Sequence, residues 1–316
     1  MNRASLWFAL ALLVAFPLSL LAGRVWIDPA STPNAALILM ELRLPRGLLA
    51  ITIGAGLGAA GAAMQGYLRN PLADPGLFGI APGAALGAVL SLWLGLAAGF
   101  ALPLFALAGA GGAMAQLALI AGRTGGIALF TLAGMMIASL AGALTSLIIS
   151  LAPNAFAMSE IVTWLMGALT DRSWADLRLA APLTVAGITL LMLAGKSLDA
   201  LTLGEAAARS LGVNPARLQW LLVIGVGLTV GSGVAVAGII GFVGLIVPHI
   251  VRPLTDRKPS SLIVPSALAG ALLVLVADSL CRILPLVTEL RLGIALSLIG
   301  APFFLALLLR MRRGLA

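Results

Sequence analysis

Long apolar runs alternate along this chain with short polar or proline-rich breaks. The runs fall at 5–22, 47–67, 79–97, 101–121, 126–151, 176–195, 218–238, 242–254, 262–281 and 292–310. They lack the period-two alternation of barrel strands, and most reach the roughly 20 residues that a helix needs to cross a hydrocarbon core. Lipid offers the backbone no hydrogen-bond partner, so each run is predicted to be a helix. The pattern predicts an all-α, polytopic integral membrane helix bundle of about ten transmembrane helices, forming one transmembrane domain over 1–316. The eighth run is short and is expected to share its depth with the Gly-rich turn before it. A short amphipathic piece, Ile161 to Leu169, reads as interfacial. The first run follows Arg3, is long for the apolar part of a signal peptide, and is succeeded by further runs. It reads as an uncleaved first span.

Composition strengthens this picture. Of 316 residues, 61% are hydrophobic and 9% charged, with a mean hydropathy of +1.13. Soluble domains carry about 25% charged residues. The net charge of +8 does not point to nucleic acid, because Lys and Arg occur singly between apolar runs without a basic stripe. With the N-terminus inside, 12 of the 19 Lys and Arg fall in inner loops, including Arg123 and the tail Arg310-Met311-Arg312-Arg313. That asymmetry places both termini in the cytoplasm. Trp7 and Trp220 fall near inner ends and Trp26, Trp164 and Trp174 near outer ends, as an aromatic belt requires. Gly54-x-x-x-Gly58 and Gly227-x-x-x-Gly231 predict close helix approach.

The chemistry-bearing residues are few. Cys281 and His249 are the only residues of their kinds, which excludes an internal disulfide, a CxxC pair and a multi-histidine metal centre. Gly195-Lys196-Ser197 imitates the end of a phosphate-binding loop, but Leu190 stands where the first glycine belongs. Asp278 is the one acidic residue inside a run, with Arg282 a turn further on, and reads as a local ion pair. An intramembrane enzyme therefore has no catalytic set, and a stand-alone secondary transporter has no buried relay. The breaks carry more information. Arg69 to Gly76 is dense in helix breakers and reads as a tight inner turn. The inner segment 198–212 is Ala-rich, pairs Glu205 with Arg209 and closes at Gly212. It reads as a short surface helix available to a cytoplasmic partner.

Several motifs in order resemble one family. Arg43-Leu44-Pro45-Arg46, Gln65-Gly66 and Arg69 to Gly76 are similar to segments of the permease subunits of type II ABC importers, the FecCD-type permeases for iron-siderophores, haem and cobalamin. Gly241 to Arg252, Asp278-x-x-x-Arg282 and Gly300-Ala301-Pro302-Phe303-Phe304 complete the resemblance, which runs from Arg43 to Phe304. One departure is Arg291, where the family usually has Pro. The resemblance implies a ten-span permease in the bacterial inner membrane that forms a homodimer. Two cytoplasmic ABC ATPase subunits would hold ATP and Mg, and this chain no cofactor. A periplasmic substrate-binding protein would dock at Arg43, Arg46 and Arg282. The coupling region would include Leu203, Gly204, Glu205, Ala208, Arg209, Leu211 and Gly212. An inner motif and gate region would comprise Gln65, Asn70, Pro71, Asp74, Pro75, Gly76, Pro248, His249 and Arg252, with His249 structural rather than metal-binding.

Overall fold

A computed structural model describes residues 3–96, 99–121 and 126–313. Arg123 and the side chains of Arg312 and Arg313 lie outside them. Among the described residues all regular structure is helical. Helix α1 (Arg3–Leu21) leads to α2 (Ala35–Leu37), a π-helical turn (Ile38–Arg43) and α3 (Leu44–Leu68), which together form one continuous helix. A 3-10 turn (Pro75–Phe78) precedes α4 (Ile80–Trp93). Then come α5 (Ala101–Ala121), α6 (Ile127–Ser150), α7 (Ala155–Leu165), α8 (Trp174–Leu201) and α9 (Glu205–Ser210). The chain closes with α10 (Pro215–Ala237), α11 (Val243–Val251), α12 (Pro259–Ile283) and α13 (Leu292–Arg313). Among the described residues eight helices are long and apolar enough to cross a membrane, and the shorter α4 and α11 occupy the third and eighth apolar runs.

Local sequence sets the helix ends. Asn154 caps α7 by accepting from Ala157 N–H at 2.8 Å, and Ser173 with Asp176 forms a capping box on α8. Pro215 occupies the first position of α10, where its missing N–H costs nothing. Two boundaries differ from expectation. The amphipathic helix is α7, and residues 166–169 form an irregular turn, because Gly167 takes a φ of +69°. The surface helix is only α9. Residues 198–201 continue α8, since nothing in that stretch stops a helix before Gly204. Gly195-Lys196-Ser197 therefore lies within a helix.

Helices α3, α10 and α12 form the buried centre, whereas α1, α5, α6, α8 and α13 bury few of their residues in this chain. Small residues allow the central approach. A Cβ on Gly54 would collide with the backbone carbonyl of Gly270 on α12, and one on Gly58 with that of Ser266. Gly61 meets Gly244 of α11 in the same way. Gly227 and Gly231 instead make room for Met114 and Ala110 of α5. In lipid, where apolar exposure drives nothing, such close packing supplies much of the association energy.

Candidate functional site

Three regions converge on function: an apolar cavity, an ionic cluster at one end of the bundle, and a two-turn helix at the other.

The cavity measures about 410 Å³ and lies between α3, α4, α10, α11 and α13. Its walls include Leu57, Val230, Val234, Leu245 and Phe304, with the irregular segments 72–76 and 238–242 closing it. Non-helical backbone at this depth is tolerated where it is buried in protein or lines a cavity. Segment 238–242 is held by close backbone contacts. Ala237 O accepts from Ala168 N–H at 2.8 Å, and Gly167 O accepts from Gly293 N–H at 3.1 Å. A Cβ on Gly238 would strike Trp164 O, and one on Gly167 would strike Ile239 O. Asp74 is the one carboxylate on the wall. It caps the 3-10 turn by accepting from Gly76 N–H at 2.7 Å, while burial pushes its carboxyl above the ordinary range. The remaining wall is largely apolar.

The inner motif residues come together in part. Gln65 of α3 donates to the carbonyls of Gly244 and Leu245, both at 3.3 Å, and accepts from Arg252 at 2.8 Å, so one side chain joins α3 to α11 and its exit. Pro75 packs on Gly244. Pro248 is buried within α11, and His249 stacks edge-on with Phe303 at 5.8 Å between ring centroids. Asn70 turns inward on its own loop, accepting from Leu72 N–H at 3.0 Å, with Pro71 between them. Gly76 serves as the donor that Asp74 caps.

The docking arginines require correction. Arg46 is 11% exposed and Arg282 3%, so neither is a rim charge. Arg46 binds Asp278 through Nε and Nη2, at 3.1 and 2.8 Å, and Glu289 at 2.8 Å. Arg282 pairs with Asp278 at 3.2 Å and donates to Ser19 O at 3.0 Å. Thr170 adds a hydroxyl to Glu289 at 3.3 Å. The expected Asp278–Arg282 pair is present, but it belongs to a cluster tying α1, α3, α12 and the 284–291 loop. Arg43 is half-buried and donates to Ala22 O. Burial drives the Glu289 carboxyl up, but the Arg46 hydrogen bond and charge, with Thr170, outweigh it and hold it below the ordinary range. Its contribution is therefore complete above the unfolded carboxylate pKa and lost as pH falls through the lower folded value. Thermal stability should fall on acidification below about pH 4, and Glu289→Gln should flatten that fall. An unchanged acid profile in the variant would remove Glu289 from the cluster's energetics.

At the other end, α9 packs one face against the bundle and leaves the other exposed. Leu203 and Leu211 on either side of it are 68% and 64% exposed. Gly204 and Gly212 take φ of +101° and +85°, turning the chain sharply at both ends. Arg209 is exposed and pairs with Glu205 at 4.0 Å. Glu205 also accepts from Ile127 N–H at 3.4 Å, which puts its charge at the positive end of α6. Ala208 is the exception among the expected coupling residues. It is buried and packs with the core of the bundle, whereas Leu203, Arg209 and Leu211 are exposed. Asp199, although within the expected surface helix, instead caps α12 by accepting from Ser260 N–H at 2.8 Å.

A polytopic helical bundle enclosing an apolar chamber has the architecture of a membrane permease. Residues 11–310 match the FecCD transport family, and the chain belongs to it. It is 39% identical to the Fe(3+) dicitrate transport system permease protein FecD of Escherichia coli over 87% of this chain and 86% of that protein. It is 37% identical to the vitamin B12 import system permease protein BtuC of Salmonella paratyphi A, over 98% and 96% of the two chains. A solved metal-chelate type ABC transporter in an inward-facing conformation superimposes with a TM-score of 0.90 at 32% identity, covering 97% of this chain and 98% of that one. The chain is the multi-pass permease subunit of an ABC importer.

Proposed function

We propose that this permease works in the bacterial inner membrane as a homodimer, with both termini cytoplasmic, and moves a metal chelate or corrinoid inward by alternating access. An iron-siderophore or haem is the leading substrate class, then cobalamin. The names of FecD and BtuC support this range. ATP and Mg belong to two cytoplasmic ATPase subunits, and this chain carries no cofactor of its own. A periplasmic binding protein delivers substrate to the outer face, where Arg43 remains the partly accessible member of the three arginines.

The observation that carries this reading is α9 with its flanking leucines. Two exposed apolar side chains flanking a short helix, beyond the spanning segments, fit a partner's cleft better than water. Glu205→Lys removes the carboxylate at the α6 terminus, and Gly212→Pro forbids the positive φ. The double variant should insert normally yet lose roughly tenfold in ATPase-subunit affinity, equal to about 1.4 kcal/mol, with a matching loss of coupled uptake. Normal assembly and uptake would sink the assignment.

A further inference from the structure

Beside the irregular 166–169 turn lies a second cleft, about 460 Å³, which shares only Thr170 with the ionic cluster. Its walls come from α7, the turn after it, the end of α10 and the residue before α13. Arg172 and Arg291 both line it, each half-buried. Among the described residues neither makes an ion pair within 4.0 Å. The Arg172 Nε–H is buried without a hydrogen-bond partner, and so is the Trp164 Nε1–H on the same wall. Burial lowers the pKa of the Arg172 guanidinium; Asp176 and Asp171 oppose this, and the Arg291 charge adds to it. Two cations held near each other with unspent donors describe a site complementary to an anion. Ser159 and Thr163 line the same space, and so does Thr170, whose hydroxyl donates to Glu289.

We propose that this cleft is an entry site for a carboxylate-bearing chelate, in which Arg172 and Arg291 bind the carboxylates and Trp164 adds a neutral donor. This rests on the importer reading above and narrows its substrate class. The cleft shares the Ala237 end of α10 with segment 238–242, so a ligand held there sits against the wall of the central cavity. Glu160 and Asp171 also line the cleft, exposed and unpaired with either arginine. They keep affinity modest, as a transit site requires, because a ligand bound too tightly does not move on.

The test is equilibrium binding of citrate and of ferric citrate to the full chain in neutral-lipid nanodiscs, with glycerol as an uncharged control. Wild type should bind both anions, more weakly as salt rises, and glycerol not at all. Arg172→Gln with Arg291→Gln should weaken anion binding roughly tenfold or more, and the corresponding Lys pair should recover most of it. Thermal unfolding of each variant establishes that the fold is kept. Equal binding by wild type and the Gln pair, or no anion binding by wild type, would overturn the proposal. So would loss of binding-protein association in the Gln pair with citrate binding intact, because the cleft would then be a protein contact. ATPase-subunit assembly through α9, measured in parallel, reports on the importer reading separately.

Discussion

Asp278→Ala is expected to leave little folded protein in the membrane. The carboxylate is 1% exposed and holds two guanidinium groups at once, Arg46 at 2.8 Å and Arg282 at 3.2 Å. Without it Arg46 keeps Glu289, but Arg282 has no anion left and remains 3% exposed. Breaking a buried pair by removing one partner costs about 3–5 kcal/mol, because the orphaned charge stays desolvated. Folded proteins have only about 5–15 kcal/mol in hand. The measurement is the thermal unfolding midpoint in detergent together with the yield of membrane-inserted protein. A compensated variant, Asp278→Leu with Arg282→Met, should recover a large part of the loss, since apolar residues of similar volume often replace a buried pair without penalty. A wild-type midpoint in Asp278→Ala would mean that water reaches the cluster and that the charges are not truly buried.

The second large effect is at the seam between α3 and α12. Gly58→Val places a branched side chain where the Ser266 carbonyl already lies, and Gly54 faces Gly270 in the same way a turn earlier. Neither neighbour is a flexible side chain that can swing aside. The helices must separate, and with them the α3 side of the cavity wall that carries Leu57. Overpacking of this kind costs about 1–3 kcal/mol or more. Transport should be abolished and the unfolding midpoint lowered. Gly142→Val on α6, where an added Cβ meets nothing within 4 Å in this chain, serves as the control and should retain stability. Comparable behaviour of the two variants would show that the seam is not closely packed.

The helices were legible because an apolar run of spanning length has one solution in lipid. A break was legible where helix breakers cluster, as between Arg69 and Gly76, whereas the caps at Asn154 and Ser173 and the stop at Gly204 emerged only from the geometry. Hidden features depended on partners distant in sequence. Arg46 meets Asp278 across 232 positions, so a sequence reading sees an arginine beside a span and infers a rim charge. Asp199 sits inside an Ala-rich stretch with the look of a surface helix, yet its partner is Ser260. The π-helical turn at Ile38–Arg43 has no breaker residue to announce it. Glu289 and Thr170 joined the cluster from loops whose folding depends on Gly167 and Gly293 meeting other backbone. Motif order placed Gln65 and Arg252 in one region, but only geometry shows them bonded.

The capping of α12 by Asp199 has a mechanical consequence. A helix of 25 residues is about 38 Å long. Its Pro259 end is pinned to the last turn of α8, two residues before the turn into α9, and its opposite end carries both Asp278 and Arg282. A lever of that length tilted by about 10° about its middle shifts each end by about 3 Å in opposite directions. Ion pairs of 2.8–3.2 Å do not survive such a displacement of one partner alone. Any stroke that pushes the Pro259 end of α12 must therefore carry α1 and α3 with it as one body, or else break the charge cluster at the opposite end of the helix.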